Sequence, residues 1–236
     1  MIIASNFKTN HTSMSTIAYM KTLISYMEEN NYLSHEILVF PPATALNIFD
    51  KPDCLKLGVQ NAYPVEKGSF TGEIGLTQIE EYEINTILIG HSERRHILKE
   101  SQDLITQKYN FFKEKNFQIV YCIGEPKEVR EAGLEKVLEY NLSQLNGIDI
   151  NYKNLIVAYE PVWAIGTGLT ASIDQINETL SALRKTIKAP LLYGGSVKVE
   201  NTKDILSIPD CDGILVGTAS WDVNNFKEMV KIAHEL

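Results

Sequence analysis

Eight short runs rich in Ile, Val and Leu recur along the chain: MIIAS, EILVF, LKLGV, TILIG, QIVYCI, LIVAY, PLLY and DGILV. Each reads as a strand followed by a segment of helical period. The runs lack hydrophobic/polar alternation, which marks strands of a parallel sheet buried on both faces. Between them, Ile17, Met20, Ile24 and Met27 are spaced for one helix face, as are Ile173, Ile176, Leu180, Leu183 and Ile187. Ser172 with Gln175 reads as a capping box opening the second helix. An open doubly wound sheet is the rival arrangement. Regular βα units without a linker or a composition break favour an α/β fold in which residues 1–236 form a single closed (β/α)8 barrel of parallel strands.

Such a barrel collects its functional groups where strands end and βα loops begin. Applied here, that rule gives Asn6-Phe7-Lys8 after strand 1 and Gly90-His91-Ser92-Glu93 after strand 4. It gives Cys122-Ile123-Gly124-Glu125 after strand 5 and Glu160-Pro161 after strand 6. Strands 7 and 8 end in Gly194-Gly195-Ser196 and Gly217-Thr218-Ala219-Ser220.

Glu160 ends a buried run and is followed at once by proline, so a rigid strand aims its carboxylate into the barrel mouth. That is a setting for a general base; a solvated acid at a strand terminus is the plain alternative. His91 immediately precedes a helix, whose N-terminus disfavours a second proton on the ring. A neutral imidazole can both donate and accept a proton, as a catalyst or as a structural hydrogen-bonder. By spacing alone Lys8 is either an ordinary surface lysine or a fixed positive charge for a developing oxyanion, and Asn6 either a structural residue or a further hydrogen bond in the same region. The glycine-bearing loops at Gly194–Ser196, Gly217–Thr218 and Gly166 can aim backbone N–H groups at one phosphate. In AYEPVWAIGTG, Pro161 stiffens the exit from the strand, and Trp163 gives the loop an apolar body. The small residues after it form a tip able to fold over a ligand and exclude water.

Other classes fit poorly. With 22 basic against 30 acidic side chains and a net charge of −8, a nucleic-acid or anionic-membrane surface is not expected. No run approaches the length of a membrane span, and MIIASNFK lacks a signal peptide's basic start. The 3 cysteines are far apart and form no CxxC pair, as suits a reducing cytoplasm. Gly166–Ala171 fits GxGxxA, yet its first glycine lies too far from its strand and TIKAPLLY brings no acid, so no nicotinamide cofactor is expected. His91 and His96, five apart, point to different helix faces, so no metal is expected either.

The segments NFKTN, QNAY…GSFTGEIG, IGHSERRH, CIGE, YEPVWAIGTG, YGGSV and DGILVGTAS occur in the order of, and resemble, the signature segments of the triosephosphate isomerase family. The resemblance runs from the first strand to the last. It implies the TIM barrel and an enediolate isomerisation of triose phosphates without a cofactor. By it, Glu160 is the base, His91 moves protons between oxygens, and Lys8 and Asn6 stabilise charge. Gly166, Ser196, Gly217 and Thr218 bind phosphate, and the lid hinges on Pro161, Val162 and Trp163 at one end and Leu169, Thr170 and Ala171 at the other. The resemblance also implies a homodimer in which the third loop carries Thr71 towards the partner's site. Glu73 then pairs with an arginine such as Arg94, and Glu93 either serves the site or holds a loop by a salt bridge.

Some positions depart from the family's pattern. Thr218 stands where glycine is usual, Leu169 where lysine is usual, Phe7 where Trp is common and Thr9 where Met is common. The chain is also short, which predicts trimmed helices or loops. Two other readings are a Schiff-base aldolase of phosphorylated sugars with Lys8 as nucleophile, and a non-catalytic binder of phosphorylated metabolites on the same fold.

Overall fold

The sheet takes its shape from which side chains alternate strand residues can bury. A computed structural model describes residues 1–164 and 170–236. In chain order its strands are β1 (Ile2–Asn6), β2 (Glu36–Phe40), β3 (Leu55–Leu57), β4 (Thr86–Ile89), β5 (Gln118–Ile123), β6 (Leu155–Tyr159), β7 (Leu191–Tyr193) and β8 (Gly213–Val216). All eight coincide with the apolar runs. They pair in parallel in the order β3-β2-β1-β8-β7-β6-β5-β4. Closure comes from Val59, just past β3, whose N–H donates to Thr86 O at 3.0 Å and whose carbonyl accepts from Leu88 N at 2.9 Å. The result is the expected (β/α)8 barrel.

Alternation sorts the core into two bodies. Ile2, Ala4, Leu38, Phe40, Leu88, Val120, Cys122, Ile156, Ala158, Leu192 and Leu215 form one cluster, enclosed by the strands. The residues between them, with the inner faces of the helices, form the other. Two residues beyond Ala4, Cys122, Ala158, Leu192 and Leu215 come Asn6, Gly124, Glu160, Gly194 and Gly217. The strand period therefore delivers these five to the open mouth.

The helices among the described residues are α1 (Ser13–Glu29), α2 (Leu76–Glu80), α3 (Ser92–His96), α4 (Gln102–Glu114), α5 (Lys127–Glu131), α6 (Leu134–Ser143), α7 (Ile173–Arg184), α8 (Val199–Leu206) and α9 (Val223–His234). The capping box at α7 forms as expected: Ser172 Oγ accepts from Gln175 N at 3.2 Å, and Gln175 Oε1 accepts from Ser172 N at 3.0 Å. Ile176, Leu180, Leu183 and Ile187 are buried, while Ile173 is exposed.

Two expectations need correction. The buried stripe of α1 is Thr16, Tyr19, Met20, Leu23 and Met27, leaving Ile17 and Ile24 half-buried on its flank. Tyr19 takes the inward position because its hydroxyl reaches the carbonyl of Ser220 at 2.8 Å. The second strand, moreover, is not followed by an α-helix. Pro41 and Pro42 leave only a 3-10 turn, Ala43–Ala45, before an irregular stretch to β3. Proline supplies no N–H and disfavours helical backbone in the residue before it, so no helix propagates there.

Candidate active site

Glu160 is buried at the mouth with both carboxylate oxygens engaged. Oε1 lies 3.1 Å from His91 Nε2, and Oε2 accepts the backbone N–H of Ser92 at 3.1 Å. Space for it depends on two glycines. A Cβ on Gly124 would lie 1.7 Å from the Glu160 carbonyl oxygen, and one on Gly194 would lie 2.9 Å from its Cγ. Burial pushes the Glu160 carboxyl up, but His91, the Ser92 N–H and Lys8 together outweigh it and leave it below its ordinary range. The same carboxylate, added to complete burial, pushes the neighbouring Cys122 thiol well up.

The tautomer of His91 follows from its partners. Its Nδ1 accepts the backbone N–H of Glu93 at 3.2 Å, capping α3. The ring proton therefore sits on Nε2, facing Glu160 and the cavity. His91 thus presents a hydrogen-bond donor where a substrate oxygen can lie.

Lys8 occupies left-handed backbone, φ 51°, a conformation non-glycine residues adopt only when their surroundings impose it. Asn6 Oδ1 accepts the Lys8 N–H at 2.9 Å. The Gln60 side chain, at the end of β3, donates to the carbonyls of Lys8 and Phe40 at 2.8 and 2.9 Å. The Lys8 ammonium donates to Glu93 Oε1 at 2.6 Å, so Glu93 forms a salt bridge that holds the first loop to α3. Asn6, Lys8, His91 and Glu160 are thus brought together.

They line a cavity of about 550 Å³. Ser196, Gly217 and Thr218 border its other side, next to Gly194 and Gly195. Pro161 is buried, and Val162 and Trp163 begin a 3-10 turn that runs to Ala164. Thr170 is exposed, and Ala171 is buried just before α7. Gly166 and Leu169 lie outside the described residues. Thr71 and Glu73 stand on an exposed stretch, residues 66–73. Within the chain the Arg94 side chain is taken by Glu100, whose Oε1 accepts from Arg94 Nε at 2.7 Å.

The sequence reading assigned no role to three groups that shape this site. Gln60 holds the left-handed Lys8, and Gly124 makes room for the Glu160 backbone. Glu125, fully buried, anchors the turn after Glu160 by accepting from Trp163 Nε1 at 3.0 Å. Its signal was its position, an acid closing β5 as Glu160 closes β6.

The triosephosphate isomerase family profile matches residues 1–233. A triosephosphate isomerase of a Nitratiruptor species is 54% identical over 236 residues, covering 100% of both chains. That of Wolinella succinogenes is 51% identical over 231 residues, covering 98% of this chain and 99% of its own. That of Sulfurimonas denitrificans is 49% identical over 236 residues, covering 100% of this chain and 97% of its own. A match this long, on a barrel whose mouth gathers an acid, a histidine and a lysine, leaves one assignment: the chain belongs to the triosephosphate isomerase family.

Proposed function

We propose that the protein, acting as one domain over its whole length, interconverts dihydroxyacetone phosphate and D-glyceraldehyde 3-phosphate through an enediolate, a step of glycolysis and gluconeogenesis. The observation that carries this is the 3.1 Å approach of Glu160 Oε1 to the protonated Nε2 of His91 in a cavity shared with Lys8. A substrate carbonyl seated against His91 Nε2 takes the donor that Glu160 now holds. The freed carboxylate then removes a proton from the adjacent carbon and returns it to the neighbouring one. His91 moves a proton between the two oxygens, as is the pattern of this family. Lys8 and Asn6 stabilise the oxyanion, and the loops at Ser196 and Gly217–Thr218 take the phosphate, with Gly166 from the loop after Glu160. The hinge roles of Pro161–Trp163 and Leu169–Ala171 belong to that loop's closure.

Nothing favours the aldolase reading. Schiff-base attack needs a free neutral amine, and the Lys8 nitrogen is the cationic partner of Glu93 at 2.6 Å.

The active unit in this reading is a homodimer in a reducing cytoplasm. Its support is the exposed third loop with Thr71 and Glu73, and the apolar exposure of Met14, Ile97 and Leu98 at 83%, 70% and 60%. A second cavity of about 470 Å³, bordered by Lys8, His91, Glu93 and Leu98, is open to receive a partner's loop. No described helix is long and apolar enough to cross a membrane.

The test is interconversion of the two triose phosphates by purified protein, with Glu160→Gln alongside. Fast turnover abolished by the substitution is expected. Binding of phosphate without turnover by the unaltered protein would leave a non-catalytic barrel instead.

A further inference from the structure

The loops after β1 and β8 are fastened together by a residue that none of the steps above uses. His11 follows Lys8 by three positions. Its Nε2 lies 3.1 Å from the backbone carbonyl of Trp221, and its Nδ1 lies 3.0 Å from Ser15 Oγ. A carbonyl only accepts, so Nε2 carries the proton and points at Trp221. The ring packs on Phe7, centroids 4.2 Å apart, and edge-on to Tyr19 at 5.6 Å. Burial lowers its tendency to take a second proton.

The contact is part of a closed set. Trp221 Nε1 donates back to the carbonyl of Asn6 at 3.3 Å. Tyr19 Oη donates to the carbonyl of Ser220 at 2.8 Å, and the hydroxyls of Ser5 and Ser220 meet at 2.7 Å. The 3-10 turn Thr218–Trp221 is therefore held by β1, by the first loop and by α1. On its other side, a Cβ on Gly217 would lie 3.2 Å from Lys8 Cε, so the lysine stem already rests on this turn.

We propose that His11 is a positioning residue for the isomerisation: its hydrogen bond to the Trp221 carbonyl sets the spacing between Lys8 with Asn6 and the phosphate-binding turn at Gly217–Thr218. This rests on the function proposed above, in which those two groups grip opposite ends of one short substrate. A triose phosphate has few bonds with which to absorb a mismatch. Displacing a catalytic group by about 1 Å costs on the order of a hundredfold in rate.

Two substitutions separate hydrogen bonding from packing. His11→Phe keeps an aromatic ring against Phe7 and Tyr19 but has no donor. His11→Gln places an amide N–H near the Nε2 position. For His11→Phe, kcat/KM is expected to fall on the order of tenfold, a part of the full-ångström effect, and the competitive inhibition constant of inorganic phosphate to rise with it. His11→Gln is expected to retain most of both. Trp221→Phe, which trims the indole and removes the return bond to Asn6 while keeping the His11 bond to the backbone carbonyl, is expected to lose activity in the same direction by a smaller factor; if His11→Phe does not fold, His11→Leu, with neither ring nor donor, carries the test. A lowered Tm with kcat/KM and the phosphate constant unchanged would overturn the proposal, as would His11→Gln losing as much as His11→Phe. Absent turnover in the unaltered protein would instead remove the isomerase reading itself.

Discussion

The indole N–H of Trp163 donates to Oε1 of Glu125 across 3.0 Å, tying the first turn after Glu160 to the end of the neighbouring strand β5. The carboxylate is fully buried and also accepts from Tyr159 Oη at 3.0 Å and Asn141 Nδ2 at 3.1 Å. Glu125→Ala takes this acceptor from two buried donors, the Tyr159 hydroxyl and the Asn141 amide, and from the half-buried Trp163 indole. Each buried unsatisfied group costs about 1–3 kcal/mol, so a loss of roughly 2 kcal/mol or more is expected. It would be read as a lower urea midpoint at unchanged slope. Glu125→Gln keeps one acceptor oxygen and is expected to lose less; equal midpoints for the alanine variant and the unaltered protein would show that this carboxylate holds nothing.

Glu160→Asp tests reach rather than charge. The shorter side chain keeps a carboxylate but withdraws it by about one carbon–carbon bond, on the order of 1 Å, from any substrate carbon. A shift of that size costs roughly a hundredfold in the chemical step. The expected signature is kcat down by about that factor with KM little changed, because the phosphate contacts proposed above lie on other loops. Loss appearing mainly in KM would assign Glu160 to binding.

How far the sequence disclosed these features depends on where their partners lie. Glu160 was legible because its own run, LIVAY, names the strand that holds it, and the two-residue period aims it inward. Glu125 closes β5 in the same way, but its significance comes from Trp163 and Asn141, which no local pattern links to it. His11 carried no signal at all: its partner, Trp221, is 210 residues away. All eight strands were readable as short runs rich in apolar residues, even β3, where Lys56 interrupts the run. The helix expected after β2 failed where the two prolines intervene, and the α1 face was displaced because Tyr19, polar at its tip, found an acceptor inside the barrel wall.

Gly194 is expected to be a site where a single methyl group reduces activity more than stability. A Cβ there would meet Glu160 Cγ at 2.9 Å, closer than such atoms approach, whereas the next contact is ordinary at 3.6 Å. The Glu160 side chain must then move from its observed place beside His91 Nε2. Gly194→Ala is expected to lower kcat by about tenfold or more while moving Tm by only a few degrees. Wild-type kcat in this variant would mean that the observed Glu160 position is not required.

Stability should decline as pH falls from 7.5 to 5.5, and the cause is histidine. His11, His35 and His96 are each lowered from the ordinary value, with burial the leading cause in all three. His35 shows the geometry: Nδ1 faces the Met1 ammonium at 3.1 Å, and Nε2 faces the carbonyl of Ala233 at 2.8 Å. A second ring proton would set cation against cation. His96 Nε2 is buried with no hydrogen-bond partner among the described residues. Since these groups bind a proton more weakly folded than unfolded, the unfolded chain takes up protons first, near pH 6.5. Their contribution is therefore complete above that value and is lost as pH falls towards the folded pKa values. Glu160, lowered among the carboxylates, acts only at more acid pH and stays outside this window. Urea midpoints at pH 7.5 and 5.5 should differ, with the lower pH less stable. His35→Gln, whose amide can both accept from the ammonium and donate to Ala233 without titrating, should narrow the gap. A midpoint independent of pH across this range would show that these rings do not gain protons on unfolding.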